Sequence, residues 1–147
     1  MATEPIWVIP EVAIAIHKRQ ISEHGGGSGL RDPGLLDSAL AKPKHSFSNT
    51  EGKSSLPALA AAYTYGIARN HPFVDGNKRT ALVIGVLFLK LNHWELTCSA
   101  DDLYKTFMAL ADGSLSETDL STWFEQCAKP IQRNPLVESS NLARPTK

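Results

Sequence analysis

Eleven consecutive residues, His71-Pro72-Phe73-Val74-Asp75-Gly76-Asn77-Lys78-Arg79-Thr80-Ala81, gather a base, a carboxylate, a glycine, an amide and two cations at the start of the most hydrophobic helical stretch of the chain. Such a set suits the handling of a phosphate-bearing group. His71 has the side chain whose ordinary pKa lies nearest neutrality, so it can take a proton from an incoming hydroxyl. An isolated histidine in such a place more often just ties down a helix end. Asp75 can bind a divalent cation that bridges phosphate oxygens, or it can cap the helix. The two roles compete, because a carboxylate on the first free N–H groups leaves fewer for a ligand. Gly76, Asn77 and Lys78 lie where a loop enters the helix, and the free N–H groups and dipole there favour anions. Gly76 permits close backbone approach. Asn77 can hold the loop through its amide or serve simply as a turn former. Lys78 and Arg79 add positive charge, with Arg79 offering a two-pronged grip on phosphate; their bland reading is solvated charge. Arg69 is a candidate for one more phosphate contact. Phe73 reads as a packing anchor for the loop.

Punctuation by proline, glycine and capping residues sets out the elements that must position this run. Pro10 to His24 reads as an amphipathic helix stopped by Gly25, followed by the loop Gly25-Gly26-Gly27-Ser28-Gly29. Asp32-Pro33 starts a second helix, with Leu35, Leu36, Ala39 and Leu40 on its apolar face and Pro43 as its end. Lys44 to Ser54 lacks a helical period and reads as a loop or short hairpin. A third helix runs from Ser55-Leu56-Pro57 to about Asn70. The fourth, Lys78 to Leu91, is apolar nearly all round and belongs at the centre of a bundle. Trp94 to Thr97 is a connector, and Asp101–Ala111 and Glu117–Ala128 are the last helices, with Ser99 and Ser116 as candidate caps. The sum is an all-α, compact bundle of about six helices in a single domain over residues 1–128. Residues 129–147 read as a flexible C-terminal tail.

Bulk properties narrow the function. Fifteen basic and fifteen acidic side chains cancel, so no nucleic-acid footprint is expected. Cys98 and Cys127 are too few for a disulfide framework or zinc site. The apolar run Ala81 to Leu89 is far shorter than the ~20 residues of a membrane span. No signal peptide is legible at the start, and the expected compartment is the cytoplasm.

The eleven-residue run resembles the Fic/Doc family, and within it the death-on-curing (Doc) toxins, whose pattern is His-x-Phe-x-Asp-x-Asn-Lys-Arg-Thr-Ala. All eight specified residues are present. At ~5% per position, eight coincide by chance less than about once in 10^10 trials. Gly29-Leu30-Arg31-Asp32-Pro33-Gly34 resembles the family's Gly-x-x-Asp-Pro element, and Leu82 to Asn92 its central helix. The resemblance covers roughly residues 5 to 128. It implies a protein-modifying transferase using ATP and Mg²⁺. In that role His71 deprotonates the target hydroxyl, Asp75 organises the metal and the Gly76–Arg79 turn holds the phosphates. Positioning and charge neutralisation then carry most of the rate.

AMP-transferring Fic enzymes have the longer pattern His-Pro-Phe-x-x-Gly-Asn-Gly-Arg-x-x-Arg. This chain departs from it at Lys78, where Gly is expected, and at Leu82, where the second Arg is expected. In Doc toxins the same Lys accompanies transfer of the terminal phosphate. The resemblance therefore implies a kinase acting on a translation factor, elongation factor Tu in the best-known case, within a toxin–antitoxin pair. The partner antitoxin's tail would fold into a groove on the bundle. Pro72 and Gly76 fit AMP transfer too, which stays the second reading, and a catalytically silent binding module is the third. Lys44–Ser54 resembles the family's flap, which pairs with an extended target by strand addition; an inert surface loop is the alternative. Ser121 to Gln126 approximates an inhibitory Fic motif, but Trp123 and Phe124 there read better as core residues.

Overall fold

The computed structural model describes residues 3–132, and in that span six helices and one pair of short strands make up the architecture. The centre is the pair α3 (Leu56–Asn70) and α4 (Asn77–Leu91), against which α1 (Pro10–His24), α2 (Pro33–Asn49), α5 (Ala100–Ala111) and α6 (Glu117–Cys127) pack. Small side chains let the central pair close up. α3 buries Ala60, Ala61, Ala62, Gly66 and Ala68. A Cβ added to Gly85 on α4 would lie 2.2 Å from Thr64 Oγ1 and 3.0 Å from the Ala60 carbonyl. Thr64 spans the same contact by donating to the Ala81 carbonyl at 2.8 Å. Larger residues fill the periphery of this joint: Phe88 packs on Tyr63, and Phe124 and Leu120 of α6 are fully buried. Tyr63 also reaches the N-terminal segment, its hydroxyl accepting from Val8 N at 2.9 Å. Burial pushes that hydroxyl's pKa up to about 12.

Four helices start as their capping residues dictate. Asp32, Ser55, Ser99 and Ser116 each accept from a backbone N–H three residues on, at 3.0–3.1 Å. Gly25, at φ 81, stops α1. The bundle, its number of helices and most of their bounds therefore agree with the reading from sequence.

Two expectations need correction. Pro43 does not end α2, which runs on to Asn49. An interior proline costs a helix roughly 3 kcal/mol. Here the apolar stripe Leu36, Ala39, Leu40, Pro43 continues to Phe47, which packs edge-on against Trp7 at 5.6 Å. That tertiary burial outweighs the missing bond. Lys44–Asn49 is consequently helical, its backbone N–H groups face along the helix axis, and it offers no edge for strand addition. Residues 50–54 form a turn knotted by Thr50 Oγ1, which meets Ser46 O, Phe47 O and Ser54. The short two-stranded element lies elsewhere: β1 (Trp94–Leu96) pairs antiparallel with β2 (Ala128–Pro130), with Glu95 opposite Lys129. The second correction follows, since residues 129 and 130 are not a loose tail but a strand, and Ile131 N adds a bond to His93 O. The remainder of the expected tail, 133–147, lies outside the described residues.

Cys98 and Cys127 are half-buried free thiols, both held above the usual cysteine range by burial. No helix among the described residues is long and apolar enough to cross a membrane.

Candidate active site

α3 ends at Asn70, and its cap, His71, turns the chain with φ 49 and ψ 56, the left-handed region. Six residues later α4 begins. Between them the loop is fixed from inside by Asn77, whose Oδ1 accepts from Phe73 N at 2.9 Å while its Nδ2 donates to Phe73 O at 3.0 Å. Both bonds are buried. Phe73 itself is fully buried, stacked parallel on the His17 ring at 3.9 Å. His17 in turn donates through Nε2 to the Asp75 carbonyl at 2.8 Å. From outside, the 29–32 segment holds the loop backbone: Val74 N donates to Gly29 O, and the Arg31 and Asp32 N–H groups donate to Pro72 O at 2.7 and 2.9 Å.

Asp75 does not cap α4. Its Oδ2 accepts from Gly27 N at 3.2 Å and its Oδ1 from Gly76 N at 2.8 Å, while the helix cap is Gly76, at φ 73, with no side-chain bond to the first turn. The first-turn N–H groups of α4 are thus not taken up by a side-chain cap, as an anion site requires. Those two backbone bonds hold the Asp75 carboxyl below the usual carboxylate range, and the charges of His17 and Arg79 lower it further. Gly76 cannot easily carry a side chain, since a Cβ would meet Ile21 Cδ1 at 3.1 Å in addition to the positive φ.

The His71 imidazole faces α4. Lys78 Nζ lies 3.2 Å from Nε2, and Asn77 Nδ2 is 3.4 Å from Nδ1. Both neighbours are donors and a neutral imidazole offers one acceptor. The closer contact assigns the lone pair to Nε2 and the proton to Nδ1. Desolvation by the loop lowers the His71 pKa, and the positive charges of Lys78 and Arg31 push the same way. The ring is therefore neutral, and able to accept a proton, at neutral pH.

His71, Asp75, Gly76, Asn77, Lys78 and Arg79 together line one cleft of about 260 Å³, closed on one side by Phe107 of α5, over whose ring the Arg79 guanidinium sits at 5.5 Å. Arg69 is not brought there. It donates to Tyr65 Oη at 3.3 Å and lines a groove with Lys42 and His45. Residues two apart at a helix end do not face the same way, which is why closeness in sequence to His71 misleads. Nor does the Ser121–Gln126 stretch reach the cleft: Phe124 is core, and Glu125 takes the Ser55 hydroxyl at the far end of α3 from His71. His17, Gly27, Arg31 and Phe107 are the members that reading the sequence missed. Only Arg31, inside the Gly-x-x-Asp-Pro element, carried a signal.

Among the described residues no three His, Cys, Asp or Glu side chains form a metal cluster. The donor set does suit a cation that takes most of its ligands from phosphate and water, as Mg²⁺ does with one or two protein carboxylates. Asp75 fits: it is ionised, and exposed at the cleft.

A second, larger groove of about 530 Å³ opens on the other side of Arg79, between α1, α4 and α5, and is walled mostly by apolar side chains.

The chain is 42% identical over 77 residues to "Toxin Doc" of Mycolicibacterium smegmatis, a stretch covering 52% of this chain and 59% of that protein. It is 38% identical over 85 residues to "Protein kinase doc" of Escherichia phage P1, covering 58% and 67%. The chain thus spans about six-tenths to two-thirds of the length of these relatives. The model of the Fic/DOC family matches residues 7–89, more than half of the chain, from before α1 to near the end of α4, and the match includes His71, Asp75, Lys78 and Arg79; this protein belongs to the Fic/DOC family.

Proposed function

We propose that this protein is a Doc-like toxin that transfers the terminal phosphate of ATP to a hydroxyl of a protein target. One observation carries the choice of phosphate over AMP. Where AMP-transferring enzymes leave space with a glycine, Lys78 fills the cleft with its ammonium 3.2 Å from the base. The position of their second arginine is Leu82, only 7% exposed and part of the core. The cleft therefore concentrates charge at one point next to His71, which suits a terminal phosphate held against the base.

In this mechanism the acceptor hydroxyl oxygen attacks the terminal phosphorus, the bond to the ADP oxygen breaks, and the hydroxyl proton passes to His71 Nε2. Lys78 must leave Nε2 for that to happen. The incoming phosphate, a stronger partner for an ammonium than a neutral imidazole, draws it off. Arg79 and the first-turn N–H groups of α4 meet the remaining phosphate oxygens. Asp75 would hold Mg²⁺, which would neutralise phosphate charge there. Asn77 and Phe73 keep the loop in register.

The target proposed from the family resemblance is a translation factor, elongation factor Tu first, and the setting is the cytoplasm. The second partner is an antitoxin, whose amphipathic helix would lay an apolar face into the α1/α4/α5 groove on Leu82, Val86, Leu103 and Phe107. Arg79 and Phe107 belong to both groove and cleft, so such a helix would reach the phosphate site.

The test incubates the protein with bacterial lysate, ATP and Mg²⁺ and reads the added mass by spectrometry. A single phosphate on one protein, lost with His71→Ala, supports the reading. An added AMP moves the assignment to adenylylation. No modification in lysates that contain the factor points to a binding module.

A further inference from the structure

Three consecutive carbonyls run through the base, those of Asn70, His71 and Pro72, and one neighbouring segment holds all of them. Arg31 Nη2 donates to Asn70 O at 3.0 Å and Arg31 Nε to His71 O at 2.8 Å. The backbone N–H groups of Arg31 and Asp32 share Pro72 O. The pairing continues with a bridge between Leu30 and Phe73 and with Val74 N on Gly29 O.

The carbonyls at a helix C-terminus have no intrahelical donors, and a glycine in the left-handed conformation commonly ends the helix there. α3 has no such glycine. The left-handed residue is His71 itself, at φ 49. A side-chain-bearing residue resists that conformation, and it persists where its surroundings over-determine it. The surroundings here are the Arg31 fork on one side and the Asn77 amide on the other.

We propose that Arg31 is a positioning residue for the base: its guanidinium grips the Asn70 and His71 carbonyls together and so locks the left-handed turn that aims the imidazole into the cleft. The two donors used, Nε and Nη2, lie in one plane on one edge of the guanidinium, which suits adjacent carbonyls. A lysine carries the same charge on a single flexible point and cannot span both oxygens in that way. The kinetic consequence rests on the phosphotransfer reading, whereas the structural one does not.

The experiment compares the full chain with Arg31→Met and Arg31→Lys, by amide hydrogen exchange in the absence of nucleotide and by phosphotransfer kinetics. In Arg31→Met the amides of His71, Phe73 and Val74 exchange about tenfold faster or more, while those of Ile84 and Phe88 in α4 keep wild-type rates. The kcat falls about tenfold or more, with KM for ATP changed less than about twofold. Arg31→Lys reproduces most of both losses. Equal acceleration at α4 amides overturns the proposal in favour of a general stabilising role. Unchanged exchange in Arg31→Met overturns it, and so does full retention of exchange and kcat in Arg31→Lys, which would make charge alone the cause. Should the wild-type protein transfer no phosphate, the exchange measurement still decides the clamp, so the two readings fail separately.

Discussion

Replacing Asn77 by aspartate changes one atom and tests how the loop is held. In the wild-type protein the amide makes two buried bonds to the same residue, accepting from Phe73 N at 2.9 Å and donating to Phe73 O at 3.0 Å. Asn77→Asp keeps the first and turns the second into two oxygens facing each other across 3.0 Å. A lost bond is worth about 1 kcal/mol, and a buried carbonyl left without its donor costs roughly a further 1–3 kcal/mol. The expected loss at neutral pH is therefore about 2–4 kcal/mol, or on the order of 6–12 °C in melting temperature for a chain of this size. The effect has a pH signature. A protonated carboxyl can donate to Phe73 O as the amide did, so the new group's folded pKa lies above its unfolded value. The stability it contributes is then fully present below the unfolded pKa and lost as pH rises through the folded one. Melting followed by circular dichroism at pH 7 and pH 4, each as a difference from wild type at the same pH, reads this directly. Phosphotransfer at pH 7 falls more than about tenfold, because the loop carries both His71 and Asp75. A variant melting with wild type at pH 7, or a deficit that does not shrink at pH 4, refutes the reasoning.

Other expectations follow from the same geometry. Lys78→Met removes a positive charge that lowers the His71 pKa, so the acidic limb of kcat/KM, and the His71 ring titration seen by NMR, move to higher pH; an unmoved titration would show that Lys78 is remote from the ring in solution. Gly85→Ala forces a Cβ against Thr64 Oγ1 and the Ala60 carbonyl and costs about 1–3 kcal/mol by chemical denaturation, despite alanine's roughly 1 kcal/mol advantage in helices; a stabilised variant would mean that α3 and α4 are less tightly joined. Arg69→Ala leaves phosphotransfer within about twofold, since the side chain lies on another face; a tenfold loss would restore it to the phosphate site.

Local chemistry determined a large part of this protein. Prolines at Pro10, Pro33 and Pro57, caps at Asp32, Ser55, Ser99 and Ser116, and the stop at Gly25 set most helix ends to within a residue or two. These signals act over one turn of backbone, so they are legible without knowing what packs against what. The run from His71 to Arg79 is legible for the same reason: its members are neighbours in the chain and share one loop and one helix start. What the sequence could not decide is each matter settled between elements. Pro43 remains helical because Phe47 finds Trp7, 40 positions away. Asp75 faces Gly27 instead of capping α4 because the glycine loop after α1 arrives beside it, and Arg69 turns from the cleft because α3 presents it to α2. His17, Arg31 and Phe107 join the site from three other elements, through contacts whose sequence separations of about 30 to 60 residues leave no periodic or spacing signal. Such contacts depend on how the helices pack, and here that packing is set by the close α3–α4 joint at Gly85 and the alanines facing it.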